Sequence, residues 1–354
     1  MRIALASTSA TPVRGHRADS IETIVWLLGR ELARMGHDVT TFACAGSEVH
    51  GRFVATLPGP YAHHGAPGDW QLCEWITLSR AIAESGRFDV LHSHNYLWGL
   101  PLEPLCRCPM VHTLHVTPYD DQAILRRRHP QAAVTAISRF QWSRYPDLPA
   151  PAGVIAHGID TAQFTFRAEP DDYLLYLGRF TPGKGVPAAI EASRQLNMRL
   201  LLAGPRNEFF DAEILPRVDG DRVRYVGPVY GGERDRLLGG ARALLFPACA
   251  PEPFGLVLVE AMACGTPAAA VMIGAVGEVV DDGVSGTCCA DGGGLADAVR
   301  RAVSLDRSTV RRRCLERFSA QRMARDYLRI YQSLVSGAPA ADVHSETVAR
   351  GSLS

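Results

Sequence analysis

The chain has 354 residues, of which 47% are hydrophobic and 21% charged, enough apolar material for packed cores and for two domains of ordinary size. Its 37 basic and 37 acidic residues cancel, so no whole-protein field recommends nucleic acid or an anionic membrane as a partner, and any anion must be bound locally. The opening apolar run is too short for a signal-peptide core and no apolar stretch reaches about 18 residues, which reads as a soluble, cytoplasmic protein.

Taken in chain order, Arg2 to Ser7 is a short apolar run followed by a Ser/Thr-rich loop, and Ile21, Ile24, Val25, Leu28 and Leu32 then recur at helical spacing. Gly36 caps that helix and Asp38 to Ala43 forms the next strand, a βαβ unit that requires a parallel sheet. Apolar runs at 88–92, 110–115, 134–138 and 153–156 continue a doubly wound pattern. The alternation lapses in the polar, Pro-containing stretch 164–172, which places a domain boundary between 165 and 166. A second α/β sheet follows, with strands at 173–177, 199–203, 223–226, 243–246 and 267–271 and helices at 185–194, 233–239 and 256–264. Residues 295–335 are helical by pattern, with 321–336 able to return to the first domain, and 337–354 reads as a disordered tail. Two such domains in tandem present their carboxyl strand ends and helix N-termini to a shared cleft, where a ligand is expected.

Of the 37 basic residues 36 are arginine, and the one lysine, Lys184, stands inside a Gly-rich turn. That turn, Gly178-Arg-Phe-Thr-Pro-Gly-Lys-Gly185, links a strand to a helix and is a polyanion cradle: glycines admit the backbone, the helix N-terminus offers N–H groups, and Arg179 and Lys184 supply cations. Its spacing also fits a P-loop, but Gly185 stands where Ser or Thr would ligate magnesium, so an NTPase is set aside. The second constellation is Glu252-Pro-Phe-Gly-Leu-Val-Leu-Val-Glu260-Ala-Met-Ala-Cys-Gly-Thr-Pro267, where two carboxylates roughly 12 Å apart at helical rise flank the amides of Gly255 and Leu256. One carboxylate could hold sugar hydroxyls, the amides a diphosphate, and the other carboxylate a ribose. The bland reading makes Glu252 a first-turn acid and Glu260 an exposed helix residue, and the apolar neighbours of Glu260 weaken it. The nine cysteines form no Cys-x-x-Cys pair, and Cys106 with Cys108 has no second ligand pair, so buried or half-buried free thiols are expected.

With these motifs, the chain resembles the retaining glycosyltransferases of family 4, an α/β group with the GT-B fold, two doubly wound Rossmann-like domains facing across a cleft. The resemblance covers residues 1–335 and is carried by the two Glu with seven residues between them, by Gly178-Arg179 with Lys184-Gly185, and by Gly36-His-Asp-Val39, His157-Gly-Ile-Asp160, Leu202-Ala-Gly204, Val226-Gly-Pro228 and Gly277-Glu-Val-Val280. It implies that Arg179 and Lys184, with Gly178, hold the donor diphosphate. Glu260 would hold the ribose, and Gly227 and Val229 would lie near the base. Glu252, with the backbone of Phe254, Gly255 and Leu256, would hold the transferred sugar, and His115 would face it from the first domain. The implied reaction is metal-independent, without cofactor, and moves a sugar from a UDP- or GDP-linked donor to a small-molecule, glycan or lipid-linked acceptor, with Asp19 and His94 as candidate acceptor contacts. A nucleotide-sugar epimerase on the same fold and a non-catalytic nucleotide-sugar binder stay open.

One departure stands out. The family pattern has Gly-Gly before the first helix, and here Asp19-Ser20 falls there, with Gly15 a shifted substitute. A displaced loop, an acceptor read by Asp19, or weakened donor use would each follow. Other motifs are set aside: Asp219-Gly-Asp221 as a polar turn, His63-His64 and His92-Ser-His94 as loop and strand-end residues, and Arg126–Arg128 and Arg311–Arg313 as solvated helix faces with at most weak peripheral membrane contact.

Overall fold

The computed structural model describes residues 1–15, 20–61 and 69–337. The chain divides into two units: Met1–Gly158 with the helix that begins at Ala320, and Ile159–Ser319. The change of unit therefore precedes the polar stretch expected to mark it. That stretch is tied into the second unit, because the Arg167 amide donates to the Cys264 carbonyl at 3.1 Å and Arg307 Nε to the Arg167 carbonyl at 2.7 Å. Its polarity marks a surface loop.

The first unit runs β1 (Arg2–Ala6), α1 (Ser20–Arg34), β2 (Asp38–Cys44), β3 (Arg52–Leu57), α2 (Trp70–Ala83), β4 (Val90–Ser93), β5 (Met110–Leu114), α3 (Asp120–Arg128), β6 (Ala133–Ala136), α4 (Phe140–Ser143) and β7 (Gly153–Val154). Its sheet is parallel with order β3-β2-β1-β4-β5-β6-β7. Ile24, Val25, Leu28 and Leu32 of α1 are buried, the face the sequence periodicity selects, and Gly36 ends the helix at φ +84°. Asp69 caps α2, accepting from the amides of Gln71 and Leu72 at 3.0 and 3.1 Å.

The second unit runs β8 (Leu174–Leu177), α5 (Val186–Leu196), β9 (Leu200–Ala203), β10 (Val223–Gly227), α6 (Gly231–Gly240), β11 (Ala243–Phe246), α7 (Leu256–Ala263), β12 (Ala268–Val271), α8 (Val276–Val279), β13 (Gly286–Cys289), α9 (Leu295–Ala302) and α10 (Arg307–Arg317). The parallel order is β10-β9-β8-β11-β12-β13. Both faces of such a sheet are covered, which is why Leu174–Leu177 and Ala243–Phe246 read as unbroken apolar runs. The last helix, α11 (Ala320–Ser336), packs on α1. The stretch 295–335, helical by pattern, forms α9, α10 and α11, with Asp306 capping α10 through the Thr309 amide at 2.9 Å. Residues 338–354 of the expected tail lie outside the described residues. Among the described residues no helix is long and apolar enough to cross a membrane.

In each sheet the strand order reverses once, between β1 and β4 and between β8 and β11. Ligand crevices of open α/β sheets form at that switch point, outside the carboxyl ends of the strands.

Candidate donor site

At the second unit's switch point, the turn after β8 meets the loop after β11. Gly185 has φ +65°, and a Cβ there would run into the Pro247 carbonyl, so only glycine lets the two loops approach. The amides of Cys249 and Ala250 donate to the Gly183 carbonyl at 2.9 and 3.1 Å and lace the loops together. This brings Lys184 Nζ onto Glu252 Oε1 as an ion pair, each side chain about one-fifth exposed. The ammonium also lies 6.0 Å from the centroid of Phe246. Gly178, at the end of β8, packs its carbonyl against Gly204, where no Cβ would fit. Arg179 is exposed and its guanidinium has no partner among the described residues, which leaves it available to an anion.

Glu252 precedes α7, which starts only at Leu256, so the two acids are not joined by helical rise as the sequence suggested. The backbone of Glu252 is held by Gly274 at φ +64°, where a Cβ would strike it, and its carbonyl accepts from Ala275 at 2.9 Å. Phe254 is buried with its ring 6.0 Å from Phe318, and Gly255 enters α7 at φ +91° with no capping side chain, leaving the first-turn amides of the helix uncapped. Glu260, one turn into α7, is paired with Arg234 of α6 through Nη2 and, at 3.1 Å, Nε. Gly227 ends β10 at φ +86° and Val229 is buried beside the start of α6. Arg234 escaped the sequence reading because Glu233-Arg-Asp-Arg236 looks like any solvated helix face; only the tertiary pairing distinguishes it.

In the first unit His94 and His115 belong to a row of buried imidazoles. His94 Nδ1 lies 2.9 Å from His115 Nε2, His115 Nδ1 lies 3.5 Å from His157 Nε2, and the His92 ring lies 4.0 Å from that of His94, tilted by 38°. Burial pushes His115 down to about 3 and holds His92, His94 and His157 well below the usual histidine range, so the row is neutral at pH 7. Gly15 is buried against the Trp26 ring, with no room for a Cβ. Asp19 and His63-His64 lie outside the described residues, and of Ser20 only the backbone is described.

The family models agree with this geometry. Residues 160–317 match the model "Glycosyl transferases group 1" and residues 21–163 match "Glycosyltransferase Family 4". The chain belongs to glycosyltransferase family 4. Glycogen synthase of Mycobacterium tuberculosis is 28% identical over 92% of this chain and 91% of its own length. D-inositol 3-phosphate glycosyltransferase of Frankia alni is 28% identical over 82% of this chain and 86% of its own. A solved glycosyltransferase of avilamycin A biosynthesis is 26% identical, with a TM-score of 0.73 over 95% of this chain and 98% of that one. The transferase thus has the GT-B fold and is an enzyme of the glycosyl-transferring class; the comparisons give the epimerase no support.

The remaining motifs of the glycosyltransferase find structural uses. Asp219 Oδ1 accepts from the amides of Asp221 and Val223, both at 2.9 Å, a turn ahead of β10. Among the described residues no group of three His, Cys, Asp or Glu could hold a metal ion, His92 and His94 included. The arginine runs are not the plain solvated faces expected. Arg126 is buried, with Nη2 3.2 Å from the Ala150 carbonyl, and Arg311 donates to the Phe164 carbonyl at 2.9 Å, because each satisfies loop carbonyls that lack a strand partner. Among the cysteines, Cys249 is exposed where burial was expected, since it rides the loop after β11.

Proposed function

We propose that the enzyme transfers a sugar with retention from a UDP- or GDP-linked donor, and that the diphosphate is neutralised by Arg179 and Lys184, with no metal. The observation that carries this reading is the convergence of the solitary lysine and Glu252 at the mouth of an uncapped helix, on the switch point of the second sheet. A cation, a carboxylate and free-facing amides at one place suit a ligand that is anionic at one end and hydroxylated at the other.

On donor binding the diphosphate takes Lys184 from Glu252 and adds Arg179. Glu252 then accepts hydrogen bonds from sugar hydroxyls, and Glu260, held by Arg234, accepts those of the ribose. The bond from anomeric carbon to phosphate oxygen breaks with its electron pair going to the phosphate. The acceptor oxygen bonds to the same face of that carbon, and its proton passes to the departing phosphate oxygen. Charge accumulating on the leaving group is where Arg179 and Lys184 contribute most. His115 as a sugar contact belongs to the same reading, and because both its ring nitrogens are engaged, with His94 and His157, that contact requires one of these pairs to open. The acceptor contacts Asp19 and His94 remain proposals of the same reading.

The test is a thermal-shift panel of UDP- and GDP-sugars followed by proton NMR of the product. A donor at about 100 times its dissociation constant adds about 2.7 kcal/mol. An inverted anomeric product, or stabilisation by no nucleotide sugar, overturns the proposal.

A further inference from the structure

A closed circuit of side chains stands at the carboxyl ends of β1 and β4, apart from every residue used above. Glu74 is fully buried on α2 and accepts from the Tyr61 hydroxyl at 2.8 Å, the Ser9 amide at 3.1 Å and Asn95 Nδ2. The ring of Tyr61 lies 6.3 Å from that of Trp70, one turn before Glu74 on the same helix. Trp70 in turn lies 6.0 Å from Tyr96, which follows Asn95 in the chain and closes the loop. Trp98 completes an aromatic triad, 5.2 Å from Trp70 and 5.4 Å from Tyr96.

Two features show that the triad is held in place rather than left over. Tyr96 has φ +52°, a left-handed conformation in which a Cβ crowds the backbone, and which clusters at ligand sites. Asn95 fixes it, because its buried amide also donates to the Ser7 carbonyl at 2.9 Å. Beneath the rings Glu74 gathers the Tyr61 hydroxyl, the Ser9 amide and Asn95 Nδ2; above them the ring donors face outward. Trp70 is 42% exposed, Tyr96 and Trp98 are half-buried, and among the described residues the indole N–H groups of Trp70 and Trp98 and the Tyr96 hydroxyl have no partner.

Such a surface has apolar faces with electron-rich π clouds and a rim of unfilled donors. Its chemical complement is a pyranose, whose axial C–H bonds present a slightly positive face and whose hydroxyls accept and donate at the edges. The groups beneath the platform are acids, not the cations a phosphate would seek. Glu22, which accepts from Thr8 Oγ1 at 2.8 Å, and Glu74 are both buried under this end of the sheet, and among the described residues Glu74 has no ion pair. Burial, ahead of all other causes, pushes Glu74 up to about 7, and neither carboxyl offers an anion a positive charge.

We propose that Trp70, Tyr96 and Trp98, braced by Glu74, Tyr61 and Asn95, form a platform for a neutral saccharide, and that the acceptor of this glycosyltransferase is a glycan or glycoside rather than a phosphorylated polyol. The second half of that statement rests on the transferase reading above; the first does not.

The test is a titration of intrinsic tryptophan fluorescence in the full chain. The probes are methyl glycosides of glucose, galactose, mannose and N-acetylglucosamine, maltotriose, inositol 1-phosphate, and phosphatidylcholine–phosphatidylglycerol vesicles. At least one neutral saccharide is expected to shift the emission at millimolar concentration, with inositol phosphate and vesicles inert. Trp70→Leu and Trp98→Leu should weaken that binding at least tenfold, and Trp70→Phe, which keeps a ring and guards against a folding artefact, less than threefold. The proposal is overturned if no neutral saccharide binds, if inositol phosphate or vesicles bind in their place, or if the leucine variants bind as well as the parent. Thermal stabilisation by nucleotide sugars is measured in parallel on the same proteins. Its absence together with saccharide binding would remove the donor reading and leave the platform standing; its presence without saccharide binding would do the reverse.

Discussion

Glu252→Gln should tighten the binding of a nucleoside diphosphate while destroying transfer. In the structure the ammonium of Lys184 is paired with Glu252. A diphosphate that takes the same ammonium must break this pair and then lie beside the freed carboxylate. Two anions sharing one ammonium, each at a charge-assisted contact, are about 5–7 Å apart. At an effective dielectric of about 20, like unit charges at that distance repel by roughly 2–3 kcal/mol. Both side chains are about one-fifth exposed, so solvent screening removes about half of this. Neutralising Glu252 therefore gains about 1–1.5 kcal/mol, which is roughly five- to twelve-fold in affinity. The amide still fills the volume of the carboxylate but cannot hold the sugar as an anion, so transfer should fall by about two orders of magnitude or more. Calorimetric titration of UDP and GDP into parent and variant measures the first effect, and steady-state kinetics the second. Lys184→Ala is the opposite control and should lose diphosphate affinity. Unchanged or weaker diphosphate binding by Glu252→Gln, with a folded protein, would refute the competition argument.

Gly185→Ala should lower the melting temperature by several degrees and abolish nucleotide-sugar stabilisation, since the new methyl meets the Pro247 carbonyl at a φ of +65°; a variant that melts like the parent would show that the two loops can separate freely. Arg234→Gln should weaken donor binding about tenfold with turnover at saturation nearly intact, because a ribose contact changes little between ground and transition state; a loss confined to turnover would contradict that role. His115 is a base whose folded value is depressed to about 3 by burial, so its contribution to stability is full above its unfolded value near 6.5 and is lost as pH falls towards 3. Each such histidine costs up to about 1.4 kcal/mol per pH unit below 6.5, and His115→Gln should flatten the slope of urea midpoints between pH 6.5 and 5. Glu74 acts with the opposite sign over 4.5 to 7, its stability lost as pH rises, and it cancels when the variant is compared with its parent.

Much of this was legible in the sequence because parallel strands buried on both faces advertise themselves as apolar runs, and because the donor motifs lie in single loops. What stayed hidden has a physical reason in each case. β3 is an edge strand with Arg52 and Phe53 exposed, and β13 is Gly-Thr-Cys-Cys, so neither carries a continuous apolar signal. The pairing of Lys184 with Glu252 joins residues 68 positions apart through loop packing that no local pattern encodes. The same holds for Arg234 with Glu260 and for the circuit from Glu74 to Asn95, whose members come from a loop, a helix and a strand end. Arg126 looked solvated because its helix is basic, yet it is the carbonyls of His129 and Ala150 that claim it.

The return of α11 to the first unit sets an order of events during synthesis. Tyr331 donates or accepts at His92 Nδ1 over 2.6 Å, Tyr327 bonds Thr113 at 3.0 Å, and Arg322 reaches the Ala156 carbonyl at 2.8 Å, all deep in a sheet whose strands left the ribosome long before. At about 5–20 residues per second, the whole of Ile159–Ser319 emerges, and can complete its own sheet, while the earlier one still waits with buried histidines and threonines exposed on one side. The interval is on the order of ten to thirty seconds. A chain cut before Ala320 would hold a finished second unit attached to a first unit that lacks α11, a species prone to aggregation. Completion of the first unit therefore waits on α11, which follows the whole of the second unit in the chain.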